Sequence, residues 1–289
     1  MKSKILFLVC SITFVIACKK DKIANQKKCT VQQITTTIGS LTDSFFLEYD
    51  GSSKQNKIKH TNNFGEELFT MQFLLNNNEL THAIKSSIYE DKVQKYTLNS
   101  SGNIQRYVDS KLEGGVTQSV EIDFTYNSNQ QLVLCKGTNL RDGVPVYYWK
   151  DSSVYENNNL VRRYLIEKAA SEPTFRIRLA DTITYTTIDN TQGLFANYPI
   201  WINKKNVLSF NFYSTPAYPY LLNYLGKGSA KLPASVQQGS YAGIVGIISY
   251  HFNNSIDADK KLTKQEISKS VNGVPSSNNI IMQFNSTCF

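Results

Sequence analysis

A short hairpin pattern recurs along this chain and constrains its fold more than any other feature. Each copy has two apolar residues two positions apart, then Asp or Asn, then an aliphatic residue several positions later. Residues two apart in a strand share one face, and Asx residues favour chain reversal, so each copy predicts two antiparallel strands and a turn. The copies are Leu47-Glu48-Tyr49-Asp50, Phe73-Leu74-Leu75-Asn76, Tyr96-Thr97-Leu98-Asn99, Phe124-Thr125-Tyr126-Asn127, Tyr250-His251-Phe252-Asn253 and the degenerate Val154-Tyr155-Glu156-Asn157. The aliphatic residues that follow them are Ile58, Leu80, Ile104, Leu132, Leu262 and Leu160.

The spacing of the copies favours a meander. From Asn76 to Asn157 the copies recur every 23 to 30 residues, which leaves room for two strands and two turns in each. Connections this short exclude crossovers between parallel strands. The 17 Tyr and 15 Phe residues also suit pleated, half-buried strands. We therefore predict an all-β, antiparallel meander of repeated hairpins; periodicity alone leaves open whether the sheet forms a barrel, a sandwich or an open sheet.

The pattern breaks between residues 189 and 241. Prolines occur in this segment at Pro199, Pro216, Pro219 and Pro233. The stretch from Tyr218 to Gly226 is typical of a short helix that ends at a glycine. We interpret 189–241 as an insertion into a single all-β domain of residues 31–289, in which it plugs or caps one end of the sheet.

The first 17 residues indicate export and lipidation. A short basic start, Met1 to Lys4, precedes an apolar run, Ile5 to Ala17, that is too short to span a bilayer. The run ends in a small residue directly before Cys18, and this order resembles bacterial lipoprotein signals, in which the cysteine is acylated and becomes the new N-terminus. An ordinary signal peptide followed by a chance cysteine is the alternative. The resemblance implies a signal peptide at 1–17, a polar tether at 18–30 from lipidated Cys18, and an outer-membrane lipoprotein on the cell surface or the periplasmic face.

Three further cysteines follow Cys18, namely Cys29, Cys135 and Cys288. Cys29 and Cys288 lie near the two ends of the predicted domain, and chain ends often come close together in compact folds. In an oxidising compartment, a disulfide between them would close a loop of about 260 residues. Cys135 would then remain unpaired. The alternative is three free, buried cysteines.

The charge excess is basic but thinly spread. The chain has 31 Lys and Arg against 23 Asp and Glu, a formal net charge of +8. Apart from the lysines beside Cys18, the basic residues alternate with polar ones, so the pattern predicts no nucleic-acid partner. The tether lysines suit a solvated linker or contact with anionic headgroups. No second apolar run of about 18 residues follows, so we expect a domain that is anchored to a membrane rather than threaded through it by a helix. We also expect the domain to be a monomer.

Several segments follow one another in an order that a known family shares. They are Tyr96 to Ile104, Phe124 to Asn127, Tyr148-Trp149 with Asn158 to Leu160, Leu225 to Pro233, and Tyr250 to Lys264. In this order they resemble Bacteroidetes lipoproteins that are classed as a domain of unknown function with a porin-like fold. The likeness runs from about residue 45 to 270, and Ser128 to Gln131 depart from it where a turn glycine is usual. The resemblance implies a sheet curled into a porin-like or partly open barrel, and it brings no activity because the family has none assigned.

Catalytic and metal-binding signals are sparse. The chain has three histidines, His60, His82 and His251. None of them has a partner at metal-ligand spacing. Asp257-Ala258-Asp259 lacks the glycine and the distal glutamate of a calcium loop, so it predicts a hairpin turn. The acid pairs Glu66-Glu67 and Glu90-Asp91 suit a glycosidase only if two carboxylates face each other across a cleft. We therefore assign no catalytic residue, no metal site and no cofactor, and the ligand-binding residues stay unassigned.

Three functional hypotheses follow, in decreasing order of support. The first is a non-catalytic, lipid-anchored envelope protein that binds a glycan or a partner envelope protein, since the many tyrosines supply amphipathic contact surface. The second is a structural envelope scaffold without a ligand. The third is a carboxylate-based, glycosidase-like hydrolase.

Overall fold

One antiparallel β-sheet contains all the strands of the residues that the structure describes. The structure is a computed structural model, and it describes residues 29–50, 54–87, 92–190, 192, 224–240, 246–277 and 279–288. Its strands are β1 (Cys29–Ile38), β2 (Leu41–Tyr49), β3 (Gln55–Thr61), β4 (Glu67–Asn76), β5 (Glu79–Ser86), β6 (Lys92–Leu98), β7 (Ile104–Glu113), β8 (Val116–Tyr126), β9 (Leu132–Arg141), β10 (Val144–Glu156), β11 (Asn159–Ala169), β12 (Arg176–Asp189), β13 (Lys231–Ser240), β14 (Ile247–Ile256), β15 (Leu262–Val271), β16 (Val274–Pro275) and β17 (Ile280–Cys288).

The sheet closes into a barrel. Strands that follow one another along the chain pair antiparallel, and β1 pairs with β17 as well as with β2. Sixteen strands form the wall, while the two-residue β16 is an extra segment that pairs with β15. The prediction of an all-β, antiparallel meander curled into a barrel is therefore confirmed, and the barrel is closed rather than partly open.

One local prediction is wrong. The predicted insertion 189–241 includes Lys231–Ser240, which forms wall strand β13 between β12 and β14. Pro233 fits there because it lies beside a β-bulge in β12, where the regular ladder is interrupted. The last copy of the repeat forms the predicted hairpin from β14 and β15, with the reversal at Asp257 to Lys261 and Asn253 inside β14. Most of the predicted helix from Tyr218 to Gly226 lies outside the described residues.

The turn after β6 shows how an Asx residue reverses the chain. Asn99 Oδ1 accepts hydrogen bonds from the backbone N–H groups of Ser101 and Asn103, both at 3.0 Å. The fourth position of the turn, Gly102, has a φ of 75°, which glycine adopts without steric cost. Such a loop resembles the hairpin that combines a turn with one left-handed residue. The Asx side chain therefore fixes the turn from within.

The turn after β8 has the same geometry without a glycine. Asn127 Oδ1 accepts from the N–H groups of Asn129 and Gln131 at 3.0 and 2.9 Å. The fourth position is Gln130, whose φ is 63°. The turn geometry is therefore kept where the sequence departs from the expected glycine, because the Asn127 side chain holds the backbone in place.

The turns divide between two ends of the barrel, one of which we call the Asx end. It holds the turns after β2, β4, β6, β8, β10 and β14, together with the start of β1 and the end of β17. The described segment 224–230 runs along this end. Tyr224 OH donates to Gln55 O at 3.2 Å, Lys227 N donates to Gln130 O at 2.8 Å, and Ser229 Oγ accepts from Leu160 N at 3.1 Å. The segment therefore links distant parts of the wall.

The interior of the barrel holds an apolar core alongside several buried polar side chains. The aliphatic residues that resume the repeats are among its most buried members, each at most 2% exposed: Ile58, Leu80, Ile104, Leu132, Leu160 and Leu262. The outer wall instead carries ion pairs, including Lys57–Glu48 at 2.9 Å, Lys95–Glu79 at 2.9 Å and Arg106–Glu121 at 2.8 Å. Alternation along the strands therefore places most of the large apolar side chains inside and most of the charged ones outside.

His82 lies in this core against Phe73, with ring centroids 4.7 Å apart and the rings 10° from parallel. Burial lowers the pKa of His82 to about 4. In the unfolded chain the imidazole titrates near its usual pKa of about 6.5, so between these values the unfolded chain binds the proton more tightly. The contribution of neutral His82 to stability is therefore full above the unfolded pKa and is lost as the pH falls towards 4.

We expect this burial to make the barrel sensitive to mild acid. Lowering the pH from 7 to 4 should remove about 3 kcal/mol of unfolding free energy through His82. His82→Gln has no titrating group, while the carboxylates titrate in both proteins, so the difference between the two pH–stability curves isolates His82. Urea unfolding at pH 7, 6, 5 and 4 measures it. Parallel curves for the two proteins would contradict this account.

Candidate functional site

A groove of about 570 Å³ opens at the Asx end, between the turn after β4 and the turn after β6. Its lining is polar apart from two leucines. The lining residues are Lys54, Leu75, Asn77, Asn78, Leu98, Asn99, Ser100, Ser101 and Gly102. A volume in this range suits a small ligand or one end of a polymer.

The groove offers exposed amides and hydroxyls. The side chains of Asn77, Asn78, Ser100 and Ser101 are exposed, and Leu75 is 49% exposed. Each amide presents donors and an acceptor, and each hydroxyl presents both. The surface therefore matches a ligand that carries hydroxyl groups on an otherwise apolar ring.

The two turns that form the groove are held together by backbone contacts. Leu98 N–H donates to Asn78 O at 2.7 Å, which joins the turn after β4 to the end of β6. The Oδ1 atom of Asn99 is already bonded to its own turn. Asn99 therefore acts structurally, and Asn77, Asn78, Ser100 and Ser101 are the exposed polar side chains of the lining.

Lys54 brings positive charge to the groove. A β-carbon added at Gly102 would lie 2.8 Å from Lys54 Nζ, so the glycine leaves room for the ammonium group. The same Nζ lies 5.6 Å from the ring centroid of Tyr224. Among the described residues that line the groove, Lys54 is the charged one.

A second polar cluster lies inside the barrel, centred on Arg163. Its Nε donates to Asp151 Oδ1 at 2.7 Å, and its NH2 group contacts Asp151 Oδ2. The NH1 group of Arg163 lies 3.4 Å from Asp181 Oδ2, and Gln238 Nε2 donates to Asp181 Oδ1 at 3.1 Å. The side chains of Arg163, Asp151 and Asp181 are at most 4% exposed. One guanidinium therefore bridges two buried carboxylates across three strands.

The electrostatics of this cluster follow from burial and charge pairing. Burial raises the pKa of Asp181, and the positive charge of Arg163 opposes that rise. Burial alone would lower the pKa of Arg163, but the carboxylates of Asp151 and Asp181 raise it above its usual value. Burial also raises the pKa of the neighbouring Cys135 thiol. With both carboxylates engaged and shielded from water, the cluster is suited to holding the core together rather than to chemistry on a substrate.

Sequence reasoning missed this cluster, although a signal was present. Asp151 shares its strand face with Trp149, and Asp181 shares its face with Ile183, all of them buried. An acid at an apolar-face position must be paired, because an unpaired buried charge is too costly. The burial of Arg163 is harder to predict. A register shift in the β10–β11 pairing, between Val154 and Tyr155, interrupts the simple alternation of inward and outward side chains.

The residues that the sequence analysis singled out lie apart from one another. Cys18 and the predicted signal peptide and tether through residue 28 lie outside the described residues. Cys29 and Cys288 are opposite each other in the β1–β17 pairing. Cys135 is free and buried.

The histidines do not come together at one site. His60 is buried, with its Nε2 3.6 Å from Asp43 Oδ2, and His82 is buried beside Phe73. His251 is exposed on the outer wall. No group of three or more His, Cys, Asp or Glu residues suited to a metal ion occurs within the described ranges.

The predicted acid pairs have surface roles where they are described. Glu66 accepts from Asn62 Nδ2 at 2.8 Å, and Glu67 pairs with Lys59 at 3.1 Å, both at the end of the barrel opposite the groove. Glu90-Asp91 lies outside the described residues. Asp257 begins the predicted hairpin turn, accepting from Lys261 N at 2.9 Å.

Several tyrosines that the sequence offered as contact surface are structural. Tyr49 OH donates to Val31 O at 2.7 Å, Tyr126 OH to Ile104 O at 2.7 Å, and Tyr185 OH to Leu160 O at 2.8 Å. Burial raises the pKa of Tyr49 to about 12. These three hydroxyls already donate hydrogen bonds to the wall of the barrel. We therefore take the groove, rather than a surface of tyrosines, as the candidate site.

Together these features define a closed antiparallel β-barrel whose described interior combines an apolar core with the buried Arg163 cluster. The chain is similar to a solved porin-like protein from Bacteroides uniformis, with 14% identity, a TM-score of 0.59, and coverage of 89% of this chain and 96% of that one. It is also similar to a porin-like protein from Bacteroides vulgatus, with 14% identity, a TM-score of 0.57, and coverage of 89% and 98%. At this identity the likeness shows the fold alone. No family model and no curated protein matches the chain.

Within the described residues, no helix is long and apolar enough to cross a membrane.

Proposed function

We propose that this protein is a non-catalytic, lipid-anchored envelope protein that binds a neutral saccharide in the groove at the Asx end. The observation that carries the proposal is the groove itself, in which exposed amides and hydroxyls surround two leucines. Sugars present hydroxyl groups around a ring with apolar C–H faces, so they match both parts of this lining. Lys54 is its one charged residue, which favours a neutral ligand over a polyanion.

We propose a non-catalytic role because Asp151, Asp181 and Glu67 are each paired with a basic side chain. Asp151 and Asp181 are engaged by Arg163 in the core. Glu67 is engaged by Lys59 on the outer wall. Glycoside hydrolysis needs two carboxylates facing each other across a cleft, and the groove lining contains amides instead.

The envelope location in the proposal comes from the N-terminal sequence that ends at Cys18. Residues 19–28 can extend over about 35 Å, and they lead into Cys29 at the Asx end. The groove would therefore lie at the tethered end of the barrel. Cell fractionation checks the anchor: the intact chain should sediment with membranes, and the Cys18→Ser variant should be released.

Saccharide binding can be tested directly on the full chain. We expect an array of neutral oligosaccharides, covering α-glucans, β-glucans, mannans and xylans, to identify a binder, and calorimetry to give its Kd. The double variant Asn78→Ala/Ser101→Ala removes exposed hydrogen-bonding groups from the groove. It should weaken binding by at least about tenfold, since each lost hydrogen bond contributes about 1 kcal/mol.

A matched control uses the equivalent turn outside the groove. Ser128 and Asn129 occupy the positions after β8 that Ser100 and Ser101 occupy after β6. Asn129→Ala, the counterpart of Ser101→Ala, should bind like the wild type, and all variants should unfold at similar temperatures. No binding on the array, or equal binding by the groove variant, would reject the proposed function.

A further inference from the structure

The seam between β1 and β17 differs from the other contacts in the wall of the barrel. In every other pair of neighbouring wall strands, the two strands follow one another along the chain, if the short β16 between β15 and β17 is set aside. A connecting segment of the chain therefore joins them directly. The strands β1 and β17 come from opposite ends of the domain and meet through an antiparallel ladder. Closure of the ring therefore depends on a pairing that no neighbouring loop supports.

The register of this ladder places two cysteines opposite each other. Cys29 is the Cα partner of Cys288, followed by Thr30 with Thr287 and Val31 with Ser286. Directly opposed residues in an antiparallel pair have Cα atoms about 4.5 or 5.5 Å apart, depending on the hydrogen-bonding position. A disulfide requires a Cα separation of about 4.4–6.8 Å. Hydrogen-bonded and non-hydrogen-bonded pairs both have a Cα separation within that range, so a disulfide could form without movement of the backbone.

We propose that Cys29 and Cys288 form a disulfide that closes the barrel covalently at its seam. The two thiols give up two protons and two electrons as the S–S bond forms. A disulfide-bearing oxidant accepts them by thiol–disulfide exchange and is reduced to two thiols. The inference does not depend on saccharide binding in the groove.

The remaining described cysteine is a poor competitor for this bond. Cys135 is buried in β9, facing the core, and burial raises its pKa well above the usual value. The thiolate is the species that attacks a disulfide, so exchange at Cys135 is disfavoured. Pairing of Cys29 with Cys288 therefore leaves Cys135 reduced.

Peptide mapping tests the bond in the full chain. The protein is produced in cells with its own N-terminal segment, purified without reductant, denatured, treated with iodoacetamide and digested with trypsin. Cleavage after Lys28, Lys54 and Lys269 gives peptides 29–54 and 270–289. We expect these two peptides to be joined and the Cys135 peptide, 112–136, to be alkylated. Alkylation of Cys29 and Cys288 on separate peptides would overturn the proposal.

Two variants connect the bond to barrel closure. The Cys135→Ala variant should retain the joined peptides. Reductant should lower the Tm of the wild type by about 10 °C or more, because the bond closes a loop of about 260 residues. The Cys29→Ala/Cys288→Ala variant should have that lower Tm with or without reductant. If reductant leaves the Tm of the wild type unchanged, the bond does not secure the seam.

Discussion

Arg163→Met is expected to lower the free energy of unfolding by about 3–5 kcal/mol, because it leaves buried carboxylates without their counter-charge. Arg163 is 1% exposed and contacts both Asp151 and Asp181. In the variant these acids must be buried as anions or take up protons on folding. Urea unfolding at pH 7 measures the loss.

The pH dependence of the variant separates charge from packing. Burial raises the pKa of Asp181, and Arg163 opposes that rise. Without Arg163, the folded-state pKa of Asp181 should lie further above its unfolded value, and protonation should favour the folded state. The deficit of Arg163→Met should therefore be full near neutral pH and shrink as the pH falls towards the unfolded pKa of about 4. A deficit of the same size at every pH would mean that lost packing, not unpaired charge, is the cause.

Two further variants complete the test. Arg162→Met changes the adjacent arginine, which is exposed, and should alter stability by no more than about 0.5 kcal/mol. Adding Asp151→Asn and Asp181→Asn to Arg163→Met removes the buried charge altogether and should recover most of the lost stability. Failure of this triple variant to recover would contradict the electrostatic account.

The local parts of the fold follow from the sequence because the signals are local. Ile58, Leu80 and Ile104 mark where the chain resumes after a turn, and all of them are buried inside the barrel. The Asx residues before them reverse the chain through their own side-chain oxygens, as Asn99 shows. Each hairpin can therefore be predicted from the residues around its own turn.

The global parts do not follow, because they depend on pairings between distant residues. Closure of the barrel requires the ladder between Cys29–Ile38 and Ile280–Cys288, and no repeat predicts its register. The sequence prediction also treats Lys231–Ser240 as part of an insertion, since its proline obscures a strand that β12 and β14 hold in place.

The groove also could not be predicted from the sequence, because its lining combines residues from separate parts of the chain. Its lining combines Lys54, the turn after β4 and the turn after β6, which become neighbours only when the sheet curls. Each asparagine by itself indicates a turn, and Asn99 does serve the turn. The ligand-facing role proposed for Asn78 and Ser101 depends on what lies beside them in space.

Gly137→Ala is expected to destabilise the barrel by about 3 kcal/mol or more, because its added methyl group would overlap Trp149. A β-carbon at this position would lie 1.8 Å from Trp149 Cε2, and Trp149 is 2% exposed. Gly137 and Trp149 are cross-strand partners in β9 and β10, so the indole packs over the bare backbone of the glycine. Lys136→Ala, which alters the neighbouring exposed residue, should change stability by no more than about 0.5 kcal/mol.

A double-mutant cycle shows whether this contact is the cause. Trp149→Ala alone should cost about 3–5 kcal/mol through loss of buried surface and the cavity left behind. In Gly137→Ala/Trp149→Ala the new methyl group occupies space that the indole has vacated. The double variant should therefore be more stable than the sum of the single effects predicts, with a coupling of about 2 kcal/mol. Additive effects in urea unfolding would mean that Gly137 is required for the backbone of β9 rather than for the tryptophan, because the penalty at position 137 would then persist without the ring.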